Sequence, residues 1–160
     1  GVMSAGPDRL EVAGRVGVPQ VVSLGALDMV NFGAMDTVPE RYRDRLLYRH
    51  NENVTLMRTT PGECDRLGRT LARKLNAARG PVALFVPLRG VSAIAVEGQV
   101  FHDPEADLAL FTAIREELDT DRVELVERDT DINDPAFAAA MTDRLDAMTR
   151  EATMGSEGRR

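Results

Sequence analysis

Residues able to do chemistry are few in this chain and fall in short clusters. The first is GALDMVNFG, Gly25 to Gly33, where Asp28 and Asn31 interrupt an apolar run, three residues apart. A carboxylate and an amide so spaced could line a ligand site, or could cap local turns by bonding their own backbone. The second cluster is Arg58-Thr59-Thr60, immediately ahead of Pro61. A helix start offers free amides and a partial positive charge, so this triplet suits an anion; plain capping by Thr60 is the alternative. The third is RGVS, Arg89 to Ser92, in which the Gly90 amide, Ser92 and Arg89 could wrap a phosphate, or form an ordinary loop. No Walker sequence and no GxGxxG is present.

His50 stands in YRHNEN, with Asn51 and Asn53 nearby and no apolar periodicity to claim it for a core. That context suits a binding loop and makes His50 the candidate for acid–base work. His102 directly precedes a helix cap and reads as structural. RDTDIND carries Asp129, Asp131 and Asp134, but lacks the central glycine and terminal glutamate of a calcium loop. Neither histidine has a partner at a metal-binding spacing, and no Ser/His/Asp ordering is evident. Cys64 lies on an apolar stripe and reads as core.

The elements that must position these clusters alternate in type. Thr60-Pro61, Asp103-Pro104 and Asp134-Pro135 each precede apolar residues at helical spacing, so a capping side chain and a proline in the first turn mark three helix starts. Thr60 with Glu63 forms a capping-box pattern, and Gly80 follows the first of these helices. A further helix is expected from Pro7 to about Val16, and a short one near Pro39. PQVVSL from Pro19, NVTLMR from Asn53, PVALFVPL from Pro81 and RVELVE from Arg122 read as strands. Alternation of strand and helix predicts an α/β fold with a mainly parallel sheet flanked by helices. In such a sheet ligands sit beyond the carboxyl ends of the strands, and every polar cluster above follows a strand. Residues 1–150 form the expected single lobe, and 151–160 a frayed tail.

Composition narrows the partners. At 160 residues, with 43% hydrophobic and 29% charged residues, the chain is sized for one domain with a real core. A net charge of −6 and 4% aromatics speak against nucleic acid, which needs a positive surface or a stacking platform. No apolar run approaches membrane-spanning length. A single cysteine and no visible signal peptide fit a cytoplasmic protein. Nearly every cation is arginine; Lys74 is the only lysine.

Several stretches coincide with one family. SAGPDRLEVAGRVGVPQVVSLGALDMVNFG, YRHNENVTLMRTTPGE, GVSAI, FHDPEADLALF and INDPAF, in that order, resemble the second half of the Tm-one-like ATP-binding family. The resemblance implies a Rossmann-like three-layer lobe of a two-lobe protein whose amino-terminal lobe is absent here. Members of that family are associated with ATP binding, so the expected ligand is a small molecule or nucleotide, with ATP and magnesium as candidate cofactors, and a homo-oligomer is expected. Carried over by position, the site residues are Asp28, Asn31, His50, Asn51, Arg58, Thr59, Thr60, Gly90, Val91 and Ser92. In that reading Arg58, Thr59, Thr60 and Ser92 hold phosphate oxygens, and Asp28 a sugar hydroxyl or hydrated magnesium. LRGVS departs from the family's more acidic or glycine-rich lead-in, which puts a role for Arg89 in doubt. Two functions stay open, enzymatic or not: a nucleotide- or phosphate-binding lobe of small-molecule metabolism, and a non-catalytic protein-interaction or oligomerisation module.

Overall fold

The computed structural model describes residues 1–157, with side chains through residue 154. Its centre is the strand β5 (Val82–Pro87), all six residues of which are buried. Continuous apolar sequence is what a strand covered on both faces requires. β5 lies between β1 (Gln20–Ser23) and β6 (Val123–Arg128), and both pairings are parallel. Val82, Leu84 and Val86 face Leu71, Leu75, Leu110 and Ile114 of the helices α2 (Pro61–Asn76) and α3 (Pro104–Glu117). Ala83 and Phe85 face Phe137 and Met148 of α4 (Pro135–Glu157). The Phe85 and Phe137 rings meet edge to face at 6.0 Å. This is the expected α/β layering, with each apolar side chain so buried stabilising by roughly 1.5–3 kcal/mol.

α2 and α3 pack closely because Gly68 has no side chain: a Cβ there would lie 2.7 Å from the Leu110 carbonyl oxygen and 2.9 Å from Ala113 Cβ. The three helix starts form as their sequences require. Thr60 and Glu63 make a reciprocal capping box, Asp103 accepts from the Ala106 amide at 3.0 Å, and Asp134 from the Ala136 amide at 2.7 Å. α4 continues to Glu157, through most of the segment read as a frayed tail; residues 158–160 lie outside the described region.

A second sheet departs from expectation. β2 (Met29–Phe32), β4 (Val54–Arg58) and β3 (Leu47–Asn51) pair antiparallel in the order β2-β4-β3. NVTLMR therefore belongs to this sheet and not to the parallel one. Only Glu52 and Asn53 separate β3 from β4, which permits a hairpin and no crossover. The sheet has its own small core of Phe32, Val38 and Met57. The amino-terminal helix is also shorter than expected: α1 spans Val12–Val16, preceded by Leu10 at φ 70, a left-handed conformation that no helix continues through. Near Pro39 the chain makes a 3-10 turn, Glu40–Tyr42.

Candidate functional site

The loops after the three parallel strands are stitched together at one edge of the sheet. The Ala26 amide donates to the Val91 carbonyl at 2.9 Å, Arg89 N to Thr130 O at 3.0 Å, and Ile132 N to Gly90 O at 3.0 Å. Gly90 is buried at φ 150, and a Cβ would sit 2.8 Å from Val96 Cγ1, so this joint needs glycine. Val91 is fully buried. Arg89 is exposed and held bidentately by Asp129, with both bonds at 2.6 Å.

Behind this edge lies a sealed polar cluster. Asp28 is 0% exposed; its Oδ2 accepts from Ser92 Oγ at 2.6 Å, while Oδ1 is buried with no partner among the described residues. Burial pushes its carboxyl group up, against the opposing Ser92 bond and Arg58 charge. The Asp28 carbonyl accepts from Thr59 N at 2.9 Å and from Arg58 Nη1 at 3.4 Å. Arg58, 3% exposed, donates from Nη2 to Asp107 Oδ1 at 2.6 Å, from Nε to the Phe101 carbonyl at 2.9 Å, and from Nη1 to Thr59 Oγ1 at 3.1 Å. Thr59 Oγ1 donates to the Leu27 carbonyl at 3.0 Å and lies 3.2 Å from Cys64 Sγ. Burial likewise raises the Asp107 carboxyl, despite its Arg58 partner.

This arrangement corrects part of the expected site. Asp28, Arg58, Thr59 and Ser92 do meet, but as an internal cluster tying the antiparallel sheet and α3 to the parallel sheet. Their donors are used inside the protein, so Arg58 and Thr59 offer none to an external phosphate, and the Asp28 carboxylate is turned to Ser92. Thr60 caps α2: its Oγ1 accepts from the Glu63 amide at 3.3 Å, and Glu63 Oε2 accepts from Thr60 N at 2.8 Å. Arg45 bonds Glu63 at 2.6 Å and, with the Thr60 bonds, holds that carboxyl at about 2.

His50 and Asn51 stand apart. His50 is exposed on β3 at a register irregularity: Arg49 pairs with Thr55 and Asn51 with Val54, leaving His50 with no residue opposite. Asn51 Oδ1 accepts from Asn53 N at 2.9 Å and shapes the hairpin turn. Both sit at the opposite end of β4 from Arg58, roughly 13 Å along the strand. The acid–base candidate therefore has no companion group from the sealed cluster. Asp129, Asp131 and Asp134 are likewise occupied in an ion pair, a turn and a cap. Among the described residues no group of three or more His, Cys, Asp or Glu could hold a metal ion.

An open cleft of about 690 Å³ lies at the carboxyl end of β1, between the amino-terminal segment, β2 and α2. Asn31 lines it, half-buried, with its side-chain amide unbonded among the described residues. Ser23 also lines it, and its Oγ is buried without a partner among the described residues. Two cations border the same space. Lys74 Nζ donates to the carbonyls of Pro7 and Arg9 and pairs with Glu11 at 3.1 Å. Arg9 is exposed and in no ion pair among the described residues. Of these four lining residues, only Asn31 was among those expected at a site. The solitary lysine was the one available signal for Lys74; Ser23 and Arg9 carry no local pattern.

Fold and cleft together define an α/β domain with an open cleft at the carboxyl end of its edge strand β1. The chain belongs to a family described as an uncharacterised protein family (UPF0261), C-terminal domain, which matches residues 1–149. It is 53% identical over 145 residues to a UPF0261 protein of Clostridium tetani and 53% identical over 141 residues to one of Rhizobium meliloti. It is 40% identical over 144 residues to the ToMV resistance protein Tm-1 of Solanum lycopersicum. These matches take in 91%, 88% and 89% of this chain, but only 36%, 35% and 19% of the respective relatives. The chain thus spans about a third of the length of the bacterial relatives. No helix among the described residues is long and apolar enough to cross a membrane.

Proposed function

We propose that this domain is the ligand-binding lobe of a nucleotide- or phosphate-binding protein of small-molecule metabolism, with ATP, accompanied by magnesium, as the candidate ligand. The observation that carries the reading is the cleft of about 690 Å³ at the carboxyl end of β1, where Ser23 Oγ is buried without a partner among the described residues, half-buried Asn31 lines the wall, and Arg9 stands exposed at the rim. Its size falls within the range of small-molecule sites, roughly 300–1,000 Å³. Its position is where open parallel sheets bind ligands. The exposed Arg9 guanidinium favours an anionic group, and an amide and a hydroxyl suit sugar or base edges. The sealed cluster supports this rim from behind and takes no direct part.

The test is calorimetric titration of this chain and of the intact Clostridium tetani relative with ATP and magnesium, and with inorganic phosphate. Saturable binding to this chain that weakens about tenfold in Arg9→Ala supports the reading, the loss of one charge-assisted hydrogen bond being worth ~1.5–3 kcal/mol. Absence of binding to both proteins at millimolar ATP rejects it.

A further inference from the structure

The parallel sheet has two outer edges, and they are built differently. β6 is guarded: its sequence VELVER places Glu124 and Glu127 in ion pairs with Arg144 and Arg115, at 2.6 and 2.7 Å. Charge on an edge strand discourages further pairing. β1, QVVS, has no charge, no proline and no bulge. Gln20 N donates to Pro81 O at 3.1 Å, on the β5 side. By the alternation of a strand, Val21 and Ser23 then direct their amides and carbonyls to the open side. Both residues are half-buried, so this edge is recessed and not simply solvated.

Three further observations fall on the same strand. Of the four buried side-chain polar atoms without a partner among the described residues, two, Gln20 Nε2 and Ser23 Oγ, belong to β1. Buried polar atoms are ordinarily paired; of these two, Gln20 Nε2 lies beside Gly14 of α1, whereas Ser23 Oγ lines the cleft next to the open edge. The cleft of about 690 Å³ opens beside Ser23, so no element among the described residues covers the end of that edge. The lead-in to β1 exposes Val12, Val16 and Val18, at 62%, 70% and 46%.

We propose that the open edge of β1 accepts a further strand, contributed by the region that precedes this domain in the longer relatives, so that the parallel sheet continues beyond β1. The match is to a C-terminal domain, and the chain covers 36% of the Clostridium tetani relative, so a long preceding region exists there to supply it. The occupant is an uncharged, β-branched segment. Its backbone pairs with Val21 and Ser23, and its flanking side chains cover Val16 and Val18.

The test is amide hydrogen exchange on this chain alone and mixed with the separately produced preceding region of the Clostridium tetani relative. Exchange at Val21 and Ser23 is expected to slow about tenfold or more on mixing, with Val22, already turned toward β5, unchanged. Val21→Pro removes one outward amide and is expected to abolish the effect. Val18→Lys, at an exposed position, keeps β1 intact and is expected to weaken the complex even if the proline variant does not fold. No complex at about 100 µM, which corresponds to a free energy of about −5.5 kcal/mol, overturns the proposal. So does a complex that leaves both amides exchanging as before. Slowing that grows with the concentration of this chain alone gives the edge to a second copy, and overturns the assignment to the preceding region.

Discussion

Ser92 Oγ donates a 2.6 Å hydrogen bond to Oδ2 of Asp28, a residue 64 positions earlier in the chain. The contact joins the loop after β5 to the turn after β1, in a position with no access to solvent. Asp28 therefore stands at the end of the strand, as its sequence context suggests, but faces inward. Its Oδ1 is buried with no partner among the described residues, which disfavours the charged form.

Replacing Asp28 by asparagine keeps the shape and the acceptor for Ser92 while removing the charge. Burial raises the folded-state pKa of Asp28 above the ordinary value of 3.8. A carboxyl raised on folding contributes fully below its unfolded pKa and loses that contribution as pH rises through the folded value. Asp28→Asn is therefore expected to be more stable than the parent at pH 7 and no more stable near pH 3. Urea unfolding at the two pH values measures this. A parent that is the more stable at pH 7 contradicts it.

Arg58 is the opposite case. Its guanidinium is buried and satisfies Asp107, the Phe101 carbonyl and Thr59 at once. Truncation leaves Asp107 and a carbonyl without their donor. Arg58→Ala is expected to destabilise by about 3–5 kcal/mol, the range for breaking a buried ion pair from one side. Arg58→Lys is expected to recover little, since a point charge cannot serve three acceptors in a plane. Chemical denaturation of both variants checks the order.

Gly68 sets the separation of α2 and α3. The atoms a Cβ would strike are a backbone oxygen and another Cβ, neither of which swings aside. Gly68→Ala, favourable for an isolated helix, is expected to cost about 1–3 kcal/mol here through overpacking. A melting temperature equal to or above the parent's would show that the helices part more readily than their packing suggests.

His50 stands on β3 at the far end of the hairpin sheet from the sealed cluster, and does not line the cleft. If the cleft is the site, His50→Gln is expected to leave ligand affinity within about twofold and stability within about 0.5 kcal/mol, as for an isolated surface position. Calorimetry and thermal unfolding of the variant decide it. A tenfold loss of affinity would move the site to the hairpin.

Much of the architecture was written in local pattern. Thr60-Pro61, Asp103-Pro104 and Asp134-Pro135 start helices because capping and a restricted φ act within a few residues, whatever lies further off. PVALFVP declares a strand covered on both faces, since only burial on both sides makes uninterrupted apolar sequence favourable. The second sheet was not legible. MVNF and LYRHN are short, mixed in polarity, and become strands by pairing with β4. Strand formation depends on partners more than on intrinsic preference. The polar residues show the same division. Their positions after strands could be read from order alone. Whether Arg58 faces a ligand or Asp107, whether Asp28 meets water or Ser92, and whether Lys74 borders a cleft depend on contacts across 40 residues or more. Local sequence carries no record of those distances, because a side chain's partner is chosen by the packing of elements that only the folded chain brings together.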